Sequence, residues 1–546
     1  EHLFHKNSTL TSVEIPDTVT GISRYAFTQT SLTSIKIPDT VTRIGESVLA
    51  YTKLTELKLP SNIEYLGRTI LGGNKGVTEI VIPKTLSSTG SSYSNLIEGD
   101  GPFAESNVQK ATIEAGMTVI PEHLFHKNST LTSVEIPDTV TEISRYAFAQ
   151  TGLENIELPS SVTTLQYEIF SGGNLLQISI PDSVTGMGNA IFQNCSKLQK
   201  VKLPKARYNI SDYTFAGCTS LEEIQLPKTV TTIWPHAFDG CSSLKKVEWS
   251  DCLESIKDNA FKGCTSLTEI VIPNTVRELG NEAFRNCDGL EKIVIPNSVT
   301  TIGNGVLYDC DSLTNISVGA GISKLSESCF EHCDNLEKIV LPYTIKSIDK
   351  SAFKECIALK EITIPRNTSS IGTSVFSYPA KMTIYGVAGT YAEKYAGEKG
   401  IKFVAIDKKT EKVSLDKSEV TINEGQTVQL SLNVEPKDFT DEVSWKSTDS
   451  NIVTVSDTGV VTAENTGTAK IKVIVGEQSV YCNVTVTQPV TSIYLNRESV
   501  SMEALETYQL KTSIYPENAN NKEVEWNSSD EKIVKVDQTG CITALA

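Results

Sequence analysis

The chain has 546 residues, 39% of them apolar and 21% charged, with a formal net charge of −17. That length exceeds what one hydrophobic core usually supports, so several domains or a repeat array are expected. The acidic balance argues against a nucleic-acid partner, which needs a basic face, and no run of eighteen apolar residues offers a membrane span.

The stretch EHLFHKNSTLTSVEIPDTVT at Glu1–Thr20 recurs at Glu122–Thr141, and over thirty residues the copies differ only at Gly21 versus Glu142 and Thr28 versus Ala149. Aligning on the phenylalanine of YAF gives a ladder from Phe4 to Phe376, with steps of 22 or 23 residues and a single step of 32. A second ladder, from Pro16 to Pro365, ends the strands, with Glu114, Ser250 and Gly319 in the three deviating places, making sixteen rungs. The long step reflects an insertion at 84–101, whose SSTGSSYSN composition predicts a surface loop. The first residue falls inside a repeat, so an N-terminal segment is expected to have been removed.

Each unit follows one grammar. In Cys264–Phe284, Leu267, Ile270 and Ile272 point inward from a short strand, with Glu269 and Val271 on the outer face. Pro273 stops the strand, Val276 and Leu279 return to the core, and Gly280 permits a bend. Asn281 is placed to cap a brief helical turn carrying Phe284. One unit cannot bury its apolar side alone, but stacked neighbours can, and copying several adjacent units preserves every interface. The fold expected is an α/β solenoid of short parallel strands and short helical or 3-10 turns.

The pattern LxxIxIPxxVxxIxxxAFxxC resembles the leucine-rich repeats of BspA-like bacterial surface proteins, over residues 1–407. Residues 382–406 look like that family's array ending, a last strand, a helix presenting Tyr391 and Tyr395, and a final strand covering the apolar end.

After Asp407 the period vanishes and alternating strands with turns follow, predicting all-β immunoglobulin-like sandwiches. The first spans 408–488, and 489–546 restarts the motif, Trp445 matching Trp526 and Gly459 matching Gly540. WKSTD and WNSSD, then TGVVTA and TGCITA, resemble bacterial group 2 immunoglobulin-like domains. The second copy stops where the first continues with GTAKIKVIV, so it reads as truncated, with an unpaired edge.

Eight cysteines, Cys195 to Cys356, recur every 23 residues, three after the ladder Phe or Leu. A metal or disulfide array is one reading and a column of small buried thiols the other. Thr30, Thr52, Asn74, Asn128 and Thr151 hold the same place in earlier rungs, which favours small buried hydrogen-bond donors and free thiols. His2 and His5, with their duplicates His123 and His126, spell HxxH. A zinc site needs a third ligand; the only acidic neighbour that recurs, Glu1 or Glu122, adjoins the first histidine too closely to converge with it, and surface histidines are expected. No metal or cofactor is expected.

Paired carboxylates in a pocket, a nucleophile with His and Asp, and a Gly-rich phosphate loop are all missing from the pattern, so the chain reads as non-enzymatic. What remains is surface. The positions two and four before each proline form two columns on the strand face. In the second half Val271, Val294 and Val340 make an apolar stripe beside Lys246, Glu269, Lys292 and Lys338. Exposed valines suit any strand, and the alternative is a partner-contact patch. The BspA-like resemblance implies an extracellular protein of the bacterial cell surface. It implies attachment to a host matrix or cell-surface protein, or to other bacterial cells, with the immunoglobulin-like units as a stalk. A monomer is expected. A carbohydrate-binding or enzyme-presenting surface component is the rival, weakened because the strand-face columns hold no Phe, Tyr or Trp; a structural spacer is the third reading.

Overall fold

A computed structural model of the chain describes residues 2–90, 99–205 and 209–545. It divides into two units, 1–341 with 345–404, and 342–344 with 405–546.

The first unit is a solenoid whose coils hydrogen-bond to one another along three walls. The Ile-x-Ile strands form the first. Glu269–Val271 pairs in parallel with Lys292–Ile295, and that strand with Asn315–Val318, each residue opposite its equivalent one coil on. Alternate residues point inward, so Ile270, Ile293 and Ile295 are buried while Glu269 and Val271 face out. Two-residue strands form the second wall, as in Ser255–Ile256, Glu278–Leu279 and Thr301–Ile302, where Val276 and Leu279 re-enter the core.

The third wall carries the phenylalanine ladder, and here the local structure differs from the expected helical turn. The backbone is left-handed two residues before and two after the ladder position, at Glu282 (φ 53°) and Asn286 (φ 57°) around Phe284. That alternation turns the N–H groups of Glu282, Phe284 and Asn286 toward the next coil, where they meet the carbonyls of Asn304, Val306 and Tyr308 at 2.8–2.9 Å. A helix would use those donors internally and leave the wall unpaired. Asn281 serves this stacking too: it donates to Asp258 at 3.0 Å and accepts from the Asn304 N–H at 2.9 Å. Gly280 has no left-handed backbone; a Cβ there would stand 2.5 Å from the Asp258 nitrogen, so the residue permits close approach of two coils.

Inside, Phe215, Phe238, Phe261 and Phe284 are fully buried and stack face to face, with centroids 5.0–5.4 Å apart. The strand Thr383–Gly386, the helix Tyr391–Lys399 and the strand Lys402–Ala405 close the array. Tyr395 is buried, its ring edge-on to Phe376, and Tyr391 packs against the same core. Of the inserted segment, Ser88–Thr89 continues the second wall, and the SSYSN part lies outside the described residues.

In the second unit, Val443–Ser447, Gly467–Val475 and Gln478–Thr487 form an antiparallel sheet, to which Glu419–Asn423 adds in parallel. Thr427–Gln429, Val460–Ala463 and Val453–Val455 form a second sheet, and Trp445, Val453, Ile471 and Val484 lie in the core of the first repeat. Left-handed Gly459 and Gly540 each sit against a tryptophan: an added Cβ would meet Trp445 at 2.9 Å and Trp526 at 2.6 Å. That shared contact explains the Trp–Gly match between the copies. The segment around Trp526 forms no strand.

Candidate interaction surface

The cysteine column is built from the wall that carries the phenylalanines. Each thiol donates to the ladder carbonyl of the preceding coil: Cys241 to Phe215 at 3.1 Å, Cys264 to Phe238 at 3.2 Å, Cys356 to Phe330 at 3.0 Å. In the earlier rungs Thr30, Thr52 and Thr151 donate to their own ladder carbonyl at 2.8–2.9 Å. The shared requirement is a small side chain whose donor finds a ladder carbonyl inside the buried wall. Burial pushes the Cys195, Cys287 and Cys356 thiols up to about 12, so they are poor nucleophiles. Among the described residues no three His, Cys, Asp or Glu side chains are arranged to hold a metal ion.

The histidine pairs correct the expectation of surface rings. His2 is exposed and His5 partly so, but His123 and His126 are buried. The end of the insertion covers the second pair: the His126 Nδ1 lies 2.8 Å from the Gly99 carbonyl, and Lys127 bridges to Asp100 at 2.9 Å. Both pairs occupy a left-handed turn, not a helix, and their Nδ1 atoms are 3.0 Å apart. His123 also stacks on Tyr146 at 4.8 Å, and burial pulls its pKa down to about 4.

On the strand face, Val271 is 53% exposed while Val294 and Val340 are half-buried. Val271 stands beside Val294, whose next neighbour is Ser317, so the stripe is a two-valine patch with Val340 set apart. Its flanking charges neutralise one another: Lys292 meets Glu269 at 2.6 Å, Lys338 meets Glu361 at 3.5 Å and Lys246 meets Glu248 at 2.5 Å.

The earlier rungs differ. A groove of about 760 Å³ opens on the same face, lined by residues including Glu157, Gln177, Lys200, Lys202 and Glu223. Strand Gln177–Ser179 pairs with Lys200–Lys202, and Glu223–Gln225 with Lys246–Glu248, yet the two pairs belong to separate sheets. Lys200 and Glu223 stand 23 residues apart, the spacing at which Glu269 and Lys292 bridge. Among the described residues Glu157, Lys200, Lys202 and Glu223 make no ion pair. Sequence reasoning missed them because nothing in the regular spacing marks the break between the sheets.

A solenoid with a continuous core and an open strand face, followed by β-sandwiches, defines a repeat protein that presents surface. The chain belongs to the family described as BspA type leucine rich repeat region (6 copies), which matches residues 1–96, 93–176, 165–289 and 254–383. The bacterial Ig-like domain (group 2) matches 409–486 and 489–546. Such repeat families are typically non-catalytic, and the architecture fits a surface-associated binding protein. No helix among the described residues is long and apolar enough to cross a membrane.

An uncharacterised protein of Clostridium acetobutylicum is 31% identical over 137 residues, covering 24% of this chain and 14% of that protein. A polysaccharide lyase 8 family protein of Enterococcus faecalis is 37% identical over 110 residues, covering 19% of this chain and 8% of its own length. The chain thus spans a small part of these curated relatives. A leucine-rich repeat protein of Bacteroides ovatus, solved by crystallography, is 26% identical, with a TM-score of 0.48, covering 63% of this chain and 88% of that one.

Proposed function

We propose that the protein is a non-enzymatic adhesin of the bacterial cell surface. Its solenoid strand face recognises a host matrix or cell-surface protein, or another bacterial cell, and its Ig-like units serve as a stalk. The observation that carries this reading is the groove at Glu157–Glu223. Charged side chains left without partners on an open face cost little in water and become directed contacts when a partner of opposite charge arrives. The exposed Val271–Val294 patch lies farther along the same face and supplies apolar area beside it. Lys246, Glu269, Lys292 and Lys338, already engaged with neighbours, form a neutral rim. The test is a binding screen of the full chain against immobilised matrix proteins and intact bacteria. Saturable binding to one of them is expected, and no retention on any surface would overturn the proposal.

A further inference from the structure

A second cavity, of about 530 Å³, opens on the phenylalanine wall, away from the strand-face groove, where the coils of Phe125 to Phe192 meet solvent. Its lining includes Gln150, Glu168, Ser171, Asn174, Gln193 and Asn194. One coil contributes no side chain to the lining, at Gly172. In the column two residues after the ladder position, Gln150 and Asn194 flank Gly172, and a Cβ on Gly172 would already come within 3.0 Å of the Gln150 side chain.

Most of the polar side chains around this space are not used by the fold. Elsewhere in the solenoid, asparagine amides bridge coils: Asn74 donates to Leu54 at 3.1 Å, Asn128 to Val108 at 3.1 Å, and Asn209 accepts from Thr231 at 3.1 Å. Among the described residues the side chains of Gln150, Asn174, Gln193, Asn194 and Ser171 make no hydrogen bond within the chain. Glu168 is held in place on one oxygen by the Tyr146 hydroxyl at 2.8 Å, leaving the other available.

The chemistry of that lining selects a ligand. A side-chain amide offers donor and acceptor in one plane, and a hydroxyl offers both on one atom, so the set matches neighbouring hydroxyl groups that are themselves donor and acceptor. An anion is disfavoured, since the one lysine at the rim, Lys127, is neutralised by Asp100 at 2.9 Å and Glu168 repels it. An apolar ligand would strand the amides without partners. We propose that this cavity binds the end of an uncharged, hydroxyl-rich oligosaccharide, independently of the strand-face groove.

The experiment applies the full chain to an array of immobilised neutral, carboxylated and sulfated oligosaccharides, and titrates a retained neutral glycan in solution by calorimetry. Retention of at least one neutral glycan is expected. Q150A/N194A, which removes two exposed amides, and G172Q, which fills the space, should each weaken it at least tenfold. Glutamine suits the left-handed backbone there, since Gln150 adopts it in the preceding coil (φ 54°). K200E/K202E should bind the glycan as the parent does. The proposal is overturned if no neutral glycan is retained, if acidic glycans are preferred, or if both cavity variants bind undiminished. Should Q150A/N194A melt early, G172Q decides alone.

Discussion

Replacing Phe238 by alanine tests whether the coils share one core. The ring is fully buried and stacked, 5.2 Å from Phe215 and 5.0 Å from Phe261. Truncating a buried phenylalanine costs about 3–5 kcal/mol through lost transfer energy and the cavity left behind, and here the packing on both sides resists collapse. Aromatic contacts of this kind contribute about 0.5–1.5 kcal/mol each, partly within that figure, so about 4 kcal/mol is expected. Phe4 is half-buried with one ring neighbour, Phe27 at 5.6 Å, and F4A should cost less than half as much. Urea unfolding followed by circular dichroism gives the loss, and hydrogen exchange locates it. Because each coil contacts only its neighbours, protection should fall first in the coils of Phe215 to Phe261. A cost for F238A below about 1 kcal/mol, or equal to that of F4A, would refute the shared stacked core.

Three further outcomes follow from burial. His123 titrates at about 4 in the fold against 6.5 unfolded, so the unfolded chain takes up the proton first. Stability should therefore fall as pH drops from about 6.5 to 4, by up to about 3 kcal/mol, and H123N should flatten that slope in pH-dependent urea titrations. Asp334 is pushed upward by burial and then by Asp311, so its ionised form is penalised in the fold. D334N should raise the melting temperature at pH 7, and the gain should vanish below pH 3.8, where both states are protonated. Of the twelve cysteines, Cys252 alone is exposed and Cys541 is intermediate. Labelling the native chain should modify Cys252 quickly, Cys541 more slowly and the other ten only on unfolding; rapid labelling of Cys264 or Cys287 would contradict the buried column.

Much of the fold was legible because a solenoid repeats its instructions. The inward Ile-x-Ile pattern, the proline after each strand and the phenylalanine ladder follow from burial and backbone chemistry, and the structure places Ile270, Ile272 and Phe284 in the core accordingly. The turn around Phe284 was not legible, since Glu282 carries no preference for a left-handed backbone and Asn286, which does, suits many turns. The need to donate to the next coil imposes it. His123 and His126 were misjudged because identical sequence in the two copies gives no sign that Gly99 and Asp100 cover one of them. On the surface, the bridge between Glu269 and Lys292 and the break between the sheets of Lys200 and Glu223 leave no trace that tells them apart in the spacing. The same holds for the cavity beside Gly172, since glycine holds that place in other coils too.

The most direct measurement is the affinity of K200E/K202E, beside V271D/V294D, for the partner recovered in the binding screen. Interferometry on the full chain, with melting checked in parallel, should show at least a tenfold loss for the lysine reversal and a smaller loss for the valine pair. Unchanged affinity in both variants would mean that the strand face, though open and charged, is not where the protein holds its partner.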